Sequence, residues 1–270
     1  MSNTVNPNAI SVIVITKDEA HDIRACLESV RGWVNEIVVF DSGSTDGTQA
    51  LCREFGAQVT ETDWPGFGQQ KQRALDAATG PWILSLDADE RISPALRDEI
   101  LAAVASASTS LYRMPRESSY CGTWIRHSGW SPDYVLRLFH KDTARFSRDL
   151  VHERLIPVEG LAIATLTNKL THYTFRDFSE VLGKINSYST YGATQGAARG
   201  KKGGLRKALL HGFWAFFRTY VVQRGYLDGK MGLILAISNA EGTYYRYLKL
   251  MLLEHHSTPA KPSAAENTHG

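Results

Sequence analysis

The sequence predicts an α/β protein: an open, mostly parallel sheet flanked by helices, followed by a helical C-terminal extension. Ile10-Ser-Val-Ile-Val-Ile15 is a continuous, largely β-branched run, as a parallel strand buried on both faces requires. Further short apolar runs at residues 36–40 and 82–86 are separated by helix-period segments, and strands alternating with helices at this spacing build a parallel sheet. From Phe178 onward the chain reads as helices broken by glycine-rich turns.

Thr16-Lys-Asp-Glu19 follows the first strand and leads to a helix with apolar positions Ile23, Leu27 and Val30. The second strand, residues 36–40, runs into the loop Asp41-Ser-Gly-Ser-Thr-Asp-Gly47. A helix over residues 48–55, a strand over 58–61 and a helix over 69–78 lead to the fourth strand, Trp82-Ile-Leu-Ser-Leu86. Ser93 as N-cap with Pro94 in the first turn restarts a helix to about Ala105. Residues 111–172 are irregular, with strand-like pieces such as Tyr134-Val-Leu-Arg-Leu-Phe139, and are expected to complete the sheet and a cleft. A helix is expected from Phe178 to about Ala198.

Composition narrows the function classes. Of 270 residues, 43% are hydrophobic and 21% charged, and the net charge of +2 does not point to nucleic acid. Cys26, Cys52 and Cys121 have no paired spacing, which fits a reducing cytoplasm better than a disulfide framework. Residues 1–9 carry neither a charged nor an apolar leader region, so no secretory signal is expected. No apolar run reaches the roughly 20 residues of a spanning helix.

Chemistry is expected at the carboxyl ends of the early strands, where open α/β sheets bind ligands. Asp41 stands directly after the second strand, before a small-residue turn that lets a nucleotide approach the backbone. It is placed to accept hydrogen bonds from a base or ribose; equally, Asp41 and Asp46 read as turn and capping residues. Leu86-Asp-Ala-Asp-Glu-Arg91 places Asp87 and Asp89 two apart. On an extended strand end both side chains point one way, and two hard oxygen ligands suit Mg²⁺ or Mn²⁺ shared with a substrate's phosphates.

Ile13-Val-Ile-Thr-Lys-Asp-Glu-Ala20, Asp41-Ser-Gly-Ser-Thr-Asp-Gly-Thr48 and Leu86-Asp-Ala-Asp-Glu-Arg91, in this order and spacing, resemble the motifs of glycosyltransferase family 2. Gly66-Phe-Gly-Gln-Gln-Lys71 is similar to the subgroup acting on the bacterial lipopolysaccharide inner core, typified by a β-1,4-glucosyltransferase. The resemblance implies a GT-A fold and an inverting, metal-dependent transfer of a hexose, glucose from UDP-glucose, onto a core heptose. It implies donor binding by Thr16, Lys17, Glu19, Asp41 and Lys71, with Asp87 and Asp89 at a Mg²⁺ or Mn²⁺ ion beside the donor. Read from the residues, Ser44, Asp46 and Asp87 are further donor-binding candidates, and His172 either offers an imidazole to the metal or diphosphate or is a hydrogen-bonded core or surface residue. An inverting displacement needs a general base; Glu153, in Val151-His-Glu153, is the preferred candidate and Asp133 the other. A capsule or lipid-carrier acceptor, and an inactive nucleotide-sugar-binding membrane protein, are the alternative readings.

Residues 199–230 hold eight Lys or Arg against one acid, Asp228. On a helix Lys207, His211 and Arg218 share one face and Leu209, Phe213, Phe216 and Tyr220 another, which suits equally an interfacial helix at anionic lipid and a helix packed on the catalytic domain with a solvated basic side; the lipid acceptor that the resemblance implies favours the first. The expected organisation is a flexible N-terminus (1–9), a catalytic domain (10–175), a basic amphipathic helical region (176–255) and a disordered tail (256–270). The expected location is the cytoplasmic face of a bacterial inner membrane, with a nucleotide sugar, a lipopolysaccharide core acceptor and an anionic membrane surface as partners and no nucleic acid.

Overall fold

The computed structural model describes residues 6–147 and 154–257; Glu153 and its neighbour His152 lie outside the described residues. The described residues divide into two compact units, one of residues 6–119, 130–147 and 154–174 and the other of residues 120–129 and 175–257.

The first unit opens with β1 (Ile10–Thr16), α1 (Ile23–Val30), β2 (Glu36–Asp41), α2 (Thr48–Glu54), β3 (Gln58–Glu61), α3 (Phe67–Ala77) and β4 (Trp82–Leu86). β1 lies between β2 and β4 and is parallel to both, in registers running from Ser11 opposite Glu36 to Thr16 opposite Asp41, and from Ile10 opposite Trp82 to Val14 opposite Leu86. β1 and β4 are buried almost throughout, which explains why their sequences are uninterrupted apolar runs. α1 buries Ile23, Leu27 and Val30 on one face, as its periodicity requires.

Next come β5 (Glu90–Arg91), α4 (Pro94–Ser106) and β6 (Leu111–Tyr120). Ser93 caps α4 by accepting the Leu96 N–H at 3.2 Å. After β7 (Thr123–Ile125) of the other unit, the chain returns as β8 (Asp133–His140), β9 (Ala144–Phe146), β10 (Leu155–Pro157), β11 (Ala164–Thr165) and β12 (Leu170–Phe175). The sheet order is β3-β2-β1-β4-β8-β6-β12-β5. Its first half is parallel, whereas β8 runs antiparallel to both β4 and β6 and β12 antiparallel to β5; β11 pairs with β6 in parallel. The sequence hid this because Arg137 interrupts the apolar run of β8, and β5 is only two residues long.

The strand order reverses at β1, with β2 and β3 on one side and β4 on the other. That is the topological switch point, and the carboxyl ends of β1, β2 and β4 meet there.

The second unit contains α5 (Phe178–Ala198), α6 (Leu205–Phe217) and α7 (Gly229–Ser257). α6 runs on into a π-helical turn, Arg218–Val222, and a 3₁₀ turn, Gly225–Asp228, precedes α7. Among the described residues no helix is long and apolar enough to cross a membrane.

Candidate active site

Asp41, fully buried at the end of β2, organises the loop that follows it. Its Oδ1 accepts from the Gly43 N–H at 3.0 Å, the Ser44 N–H at 2.8 Å and the Gln49 amide at 2.8 Å. Its Oδ2 accepts from the Thr16 hydroxyl at 2.8 Å and the Ser44 hydroxyl at 2.5 Å. Burial alone would raise the carboxyl's pKa, but the hydrogen bonds from Ser44, Thr16 and Gln49 outweigh it and hold the group below its usual range. A carboxylate offers about four lone-pair sites, so a nucleoside donor reaches Asp41 only by displacing one of these partners. The turn-forming role noted beside the base-binding role is therefore the one this geometry displays.

The rest of the loop is tied to the segment after β1. Ser44 Oγ accepts the Asp18 N–H at 2.8 Å, and Asp46 accepts the Ala20 N–H at 2.9 Å and the Thr48 hydroxyl at 2.5 Å. The Glu19 N–H donates to Thr48 Oγ1 at 2.8 Å, and the exposed Lys17 ammonium donates to the Gly43 carbonyl. Gly47 enters α2 with φ 97°, a left-handed conformation that a Cβ would strain. Thr16, Lys17, Glu19, Asp41, Ser44 and Asp46 thus gather at the carboxyl ends of β1 and β2.

α3 links these strand ends to the acidic segment. Gln70 reaches back to the Ser42 hydroxyl at 3.1 Å, and the next residue, the buried Lys71, sits 2.7 Å from Asp87 Oδ1. Arg137, from the middle of β8, holds Asp87 Oδ2 and lies 2.6 Å from Glu90 Oε1. Burial would raise the Asp87 pKa, yet the Arg137 and Lys71 charges beside it drive it far below the carboxylate range; the same carboxylates keep Arg137 firmly protonated despite its burial.

The expectation of two parallel carboxylates on a strand end does not hold. β4 ends at Leu86, and Asp87 begins a turn closed by the Glu90 N–H donating to the Asp87 carbonyl at 3.0 Å. Asp87 and Asp89 therefore take separate partners. Asp89 Oδ2 lies 3.2 Å from His172 Nε2. Register explains the meeting: β12 places His172 opposite Glu90, the residue after Asp89. The His172 Nδ1 side is held by Ser118 Oγ at 2.9 Å and Thr174 Oγ1 at 3.1 Å.

The expected trio Asp87, Asp89 and His172 does not converge: among the described residues no three His, Cys, Asp or Glu side chains form a ready-made cage. Two of the three nevertheless fit a divalent ion. Asp89 Oδ2 and His172 Nε2 are hydrogen-bonded at 3.2 Å; a divalent ion would take the place of the shared proton, with each ligand atom about 2.1 Å from it. Hydrogen bonding at the far ring nitrogen is how metal-binding imidazoles are oriented.

Asp133, the other candidate base, opens β8 directly opposite Arg116 of β6 and accepts from it at 2.8 Å and 2.9 Å. Sequence reasoning assigned no role to Glu90, Arg116 or Arg137. Glu90 is fully buried, pairs with Arg116 at 3.2 Å as well as Arg137, and accepts the Asp87 N–H at 3.0 Å. The signal was an arginine inside an apolar strand, because a buried guanidinium requires a buried acid.

In open α/β sheets the crevice at the switch point, outside the carboxyl ends of the strands, is where ligands bind. The chain belongs to glycosyltransferase family 2, whose model, "Glycosyl transferase family 2", matches residues 11–157. It is 31% identical to the lipopolysaccharide core biosynthesis glycosyltransferase LpsC of Rhizobium meliloti (strain 1021), over 94% of this chain and 95% of that protein. It is 29% identical to an uncharacterized glycosyltransferase of Rickettsia bellii (strain RML369-C), over 94% of this chain and 90% of the relative. Among solved structures, the mannosyltransferase PcManGT from Pyrobaculum calidifontis, in complex with GDP-Man and Mn²⁺, aligns with a TM-score of 0.49 at 18% identity, covering 89% of this chain and 76% of that one. The protein is a glycosyltransferase.

Proposed function

We propose that this glycosyltransferase moves a hexose, glucose from UDP-glucose, with inversion onto a heptose of the lipopolysaccharide inner core. The observation that carries the donor side is the cationic cradle of Lys71 and Arg137 around Asp87. Arg137 spends one terminal nitrogen on both Asp87 and Glu90, while its buried Nε has no acceptor. A diphosphate at the end of β4 would compete with Asp87 and Glu90 for these two cations and take over part of their hydrogen bonding. Similarity to LpsC supports the acceptor class.

Asp89 and His172 would hold Mg²⁺ or Mn²⁺, which supplies Lewis-acid stabilisation of the departing diphosphate's charge. The Asp41 loop, with its backbone N–H groups and the Lys17 ammonium, would receive the nucleoside. The acceptor hydroxyl must lose its proton on the face opposite the leaving group. Asp133 is already tied to Arg116, which favours Glu153 as the base.

The test is purified protein with UDP-glucose, Mg²⁺ or Mn²⁺, and lipopolysaccharide core ending in heptose. Glucose transfer lost in Asp89→Ala and Glu153→Gln is the expected result. Donor turnover that survives Asp89→Ala overturns the metal assignment, and transfer from another nucleotide sugar but not UDP-glucose overturns the donor.

A further inference from the structure

In the second unit α6 is packed with its small side chains inward and its large ones outward. It buries Ala208 and Gly212, one turn apart. A Cβ at Gly212 would stand 3.3 Å from the Ala240 carbonyl oxygen and 3.4 Å from Tyr244 Cβ, so small residues let α6 approach α7 closely. The bulky positions face away. Leu209, Leu210, Phe213 and Trp214, with Val222 and Leu227 beyond the helix, are 54–68% exposed. Soluble proteins rarely expose contiguous apolar patches beyond a few hundred Å².

This face differs from the one the helical spacing suggested. His211 stacks on Tyr247 of α7, with ring centroids 4.5 Å apart, and Phe216 stacks on Tyr220 at 5.5 Å and is only half-exposed. The outward stripe is instead Leu209, Leu210, Phe213, Trp214 and Phe217, at the spacing of one helix face.

Charge identifies what covers it. Arg206, Lys207, Arg218 and Arg224 are exposed around the stripe. The single carboxylate of the segment, Asp228, is turned inward: its side chain is 3% exposed and accepts from the Arg126 and His127 N–H groups and the Ser128 hydroxyl. Residues 205–227 thus carry these cations and no Asp or Glu of their own. A second copy would bring like charges together at this surface, which is unfavourable, whereas anionic headgroups would meet them and acyl chains would receive the apolar stripe.

We propose that the face running from Leu205 to Leu227 binds an anionic phospholipid bilayer, lying on it rather than crossing it. This rests on neither the donor nor the acceptor reading, and its test needs no sugar. The full chain is sedimented with vesicles of phosphatidylcholine alone and with 30% phosphatidylglycerol, beside light scattering in solution. Expected are binding to the anionic vesicles only, a loss of at least tenfold in Phe213→Ser/Trp214→Ser, and about fivefold per cation removed in Arg206→Ser/Lys207→Ser, the latter vanishing at high salt. The second variant changes exposed side chains alone, so it reports on the surface even if the first fails to fold. Equal binding to neutral vesicles, or anionic binding unchanged by Arg206→Ser/Lys207→Ser, overturns the proposal. So does a dimer that does not bind vesicles and that Arg206→Ser/Lys207→Ser alters, since the face would then join two copies.

Discussion

The Lys71 ammonium lies 2.7 Å from one oxygen of Asp87 while Arg137 takes the other, so a single carboxylate at the end of β4 holds two nearly buried cations. In the proposed reading a diphosphate would meet both cations already in place. A hydrogen bond to a charged group contributes about 1.5–3 kcal/mol, so Lys71→Met is expected to lower kcat/KM for the nucleotide sugar by roughly 10- to 100-fold. Steady-state release of the nucleoside diphosphate checks this. An unchanged kcat/KM would mean that Lys71 serves only to neutralise Asp87.

Asp41 and Asp87 both have carboxyl pKa values below their unfolded values. The unfolded chain then binds more protons than the folded chain in acid, and stability rises with pH there. Their contribution is complete above the unfolded Asp value of about 3.9 and is lost as pH falls below it toward the depressed folded values. Urea unfolding is therefore expected to change little from pH 7 to about 5 and to weaken steeply below about 4. Asp41→Asn should be less stable at pH 7 and show a shallower acid slope. A slope identical to wild type would remove Asp41 from the account.

Ser118 Oγ sits 2.9 Å from His172 Nδ1, on the side of the ring away from Asp89. Loss of a group that orients a metal-bound imidazole costs about 10- to 100-fold in metal affinity. Ser118→Ala is expected to weaken Mn²⁺ binding, read by titration calorimetry in the presence of UDP, by about tenfold. His172→Ala should weaken it further. Identical titrations for wild type and both variants would contradict an ion at Asp89 and His172.

The parallel half of the fold was legible because each of its strands is a local pattern. β1 and β4 are buried on both faces and so are written as unbroken apolar runs; β3 matched its expected residues, and Ser93-Pro94 marked the start of α4. The antiparallel half was less legible, since β8 carries Arg137 in its middle and β5 is too short to leave a period. The same holds at the site. Asp41, Asp87 and Asp89 announced themselves by following strands, whereas the Asp89–His172 pair depends on β12 lying beside β5, a register across 83 residues. Glu90 stood in the acidic motif itself, but only tertiary pairing reveals that it faces Arg116 and Arg137 rather than solvent.

That pairing gives Glu90 a measurable weight. Its carboxylate is fully buried between two guanidinium groups and also accepts the Asp87 N–H, so it joins β5, β6 and β8 to the acidic turn. Removing it leaves neither guanidinium alone, because Arg137 keeps Asp87 and Arg116 keeps Asp133; the loss is that of a hydrogen bond to a charged group, about 1.5–3 kcal/mol. Glu90→Gln is expected to lose stability of that order in urea unfolding, against about 1 kcal/mol for removing the α4 cap in Ser93→Ala. Replacing Glu90 and Arg116 together should cost less than the sum of the two single changes, since Arg137 retains Asp87 while neither member of the lost pair is left alone. Additive costs would show that Glu90 and Arg116 do not share the interaction their 3.2 Å separation implies.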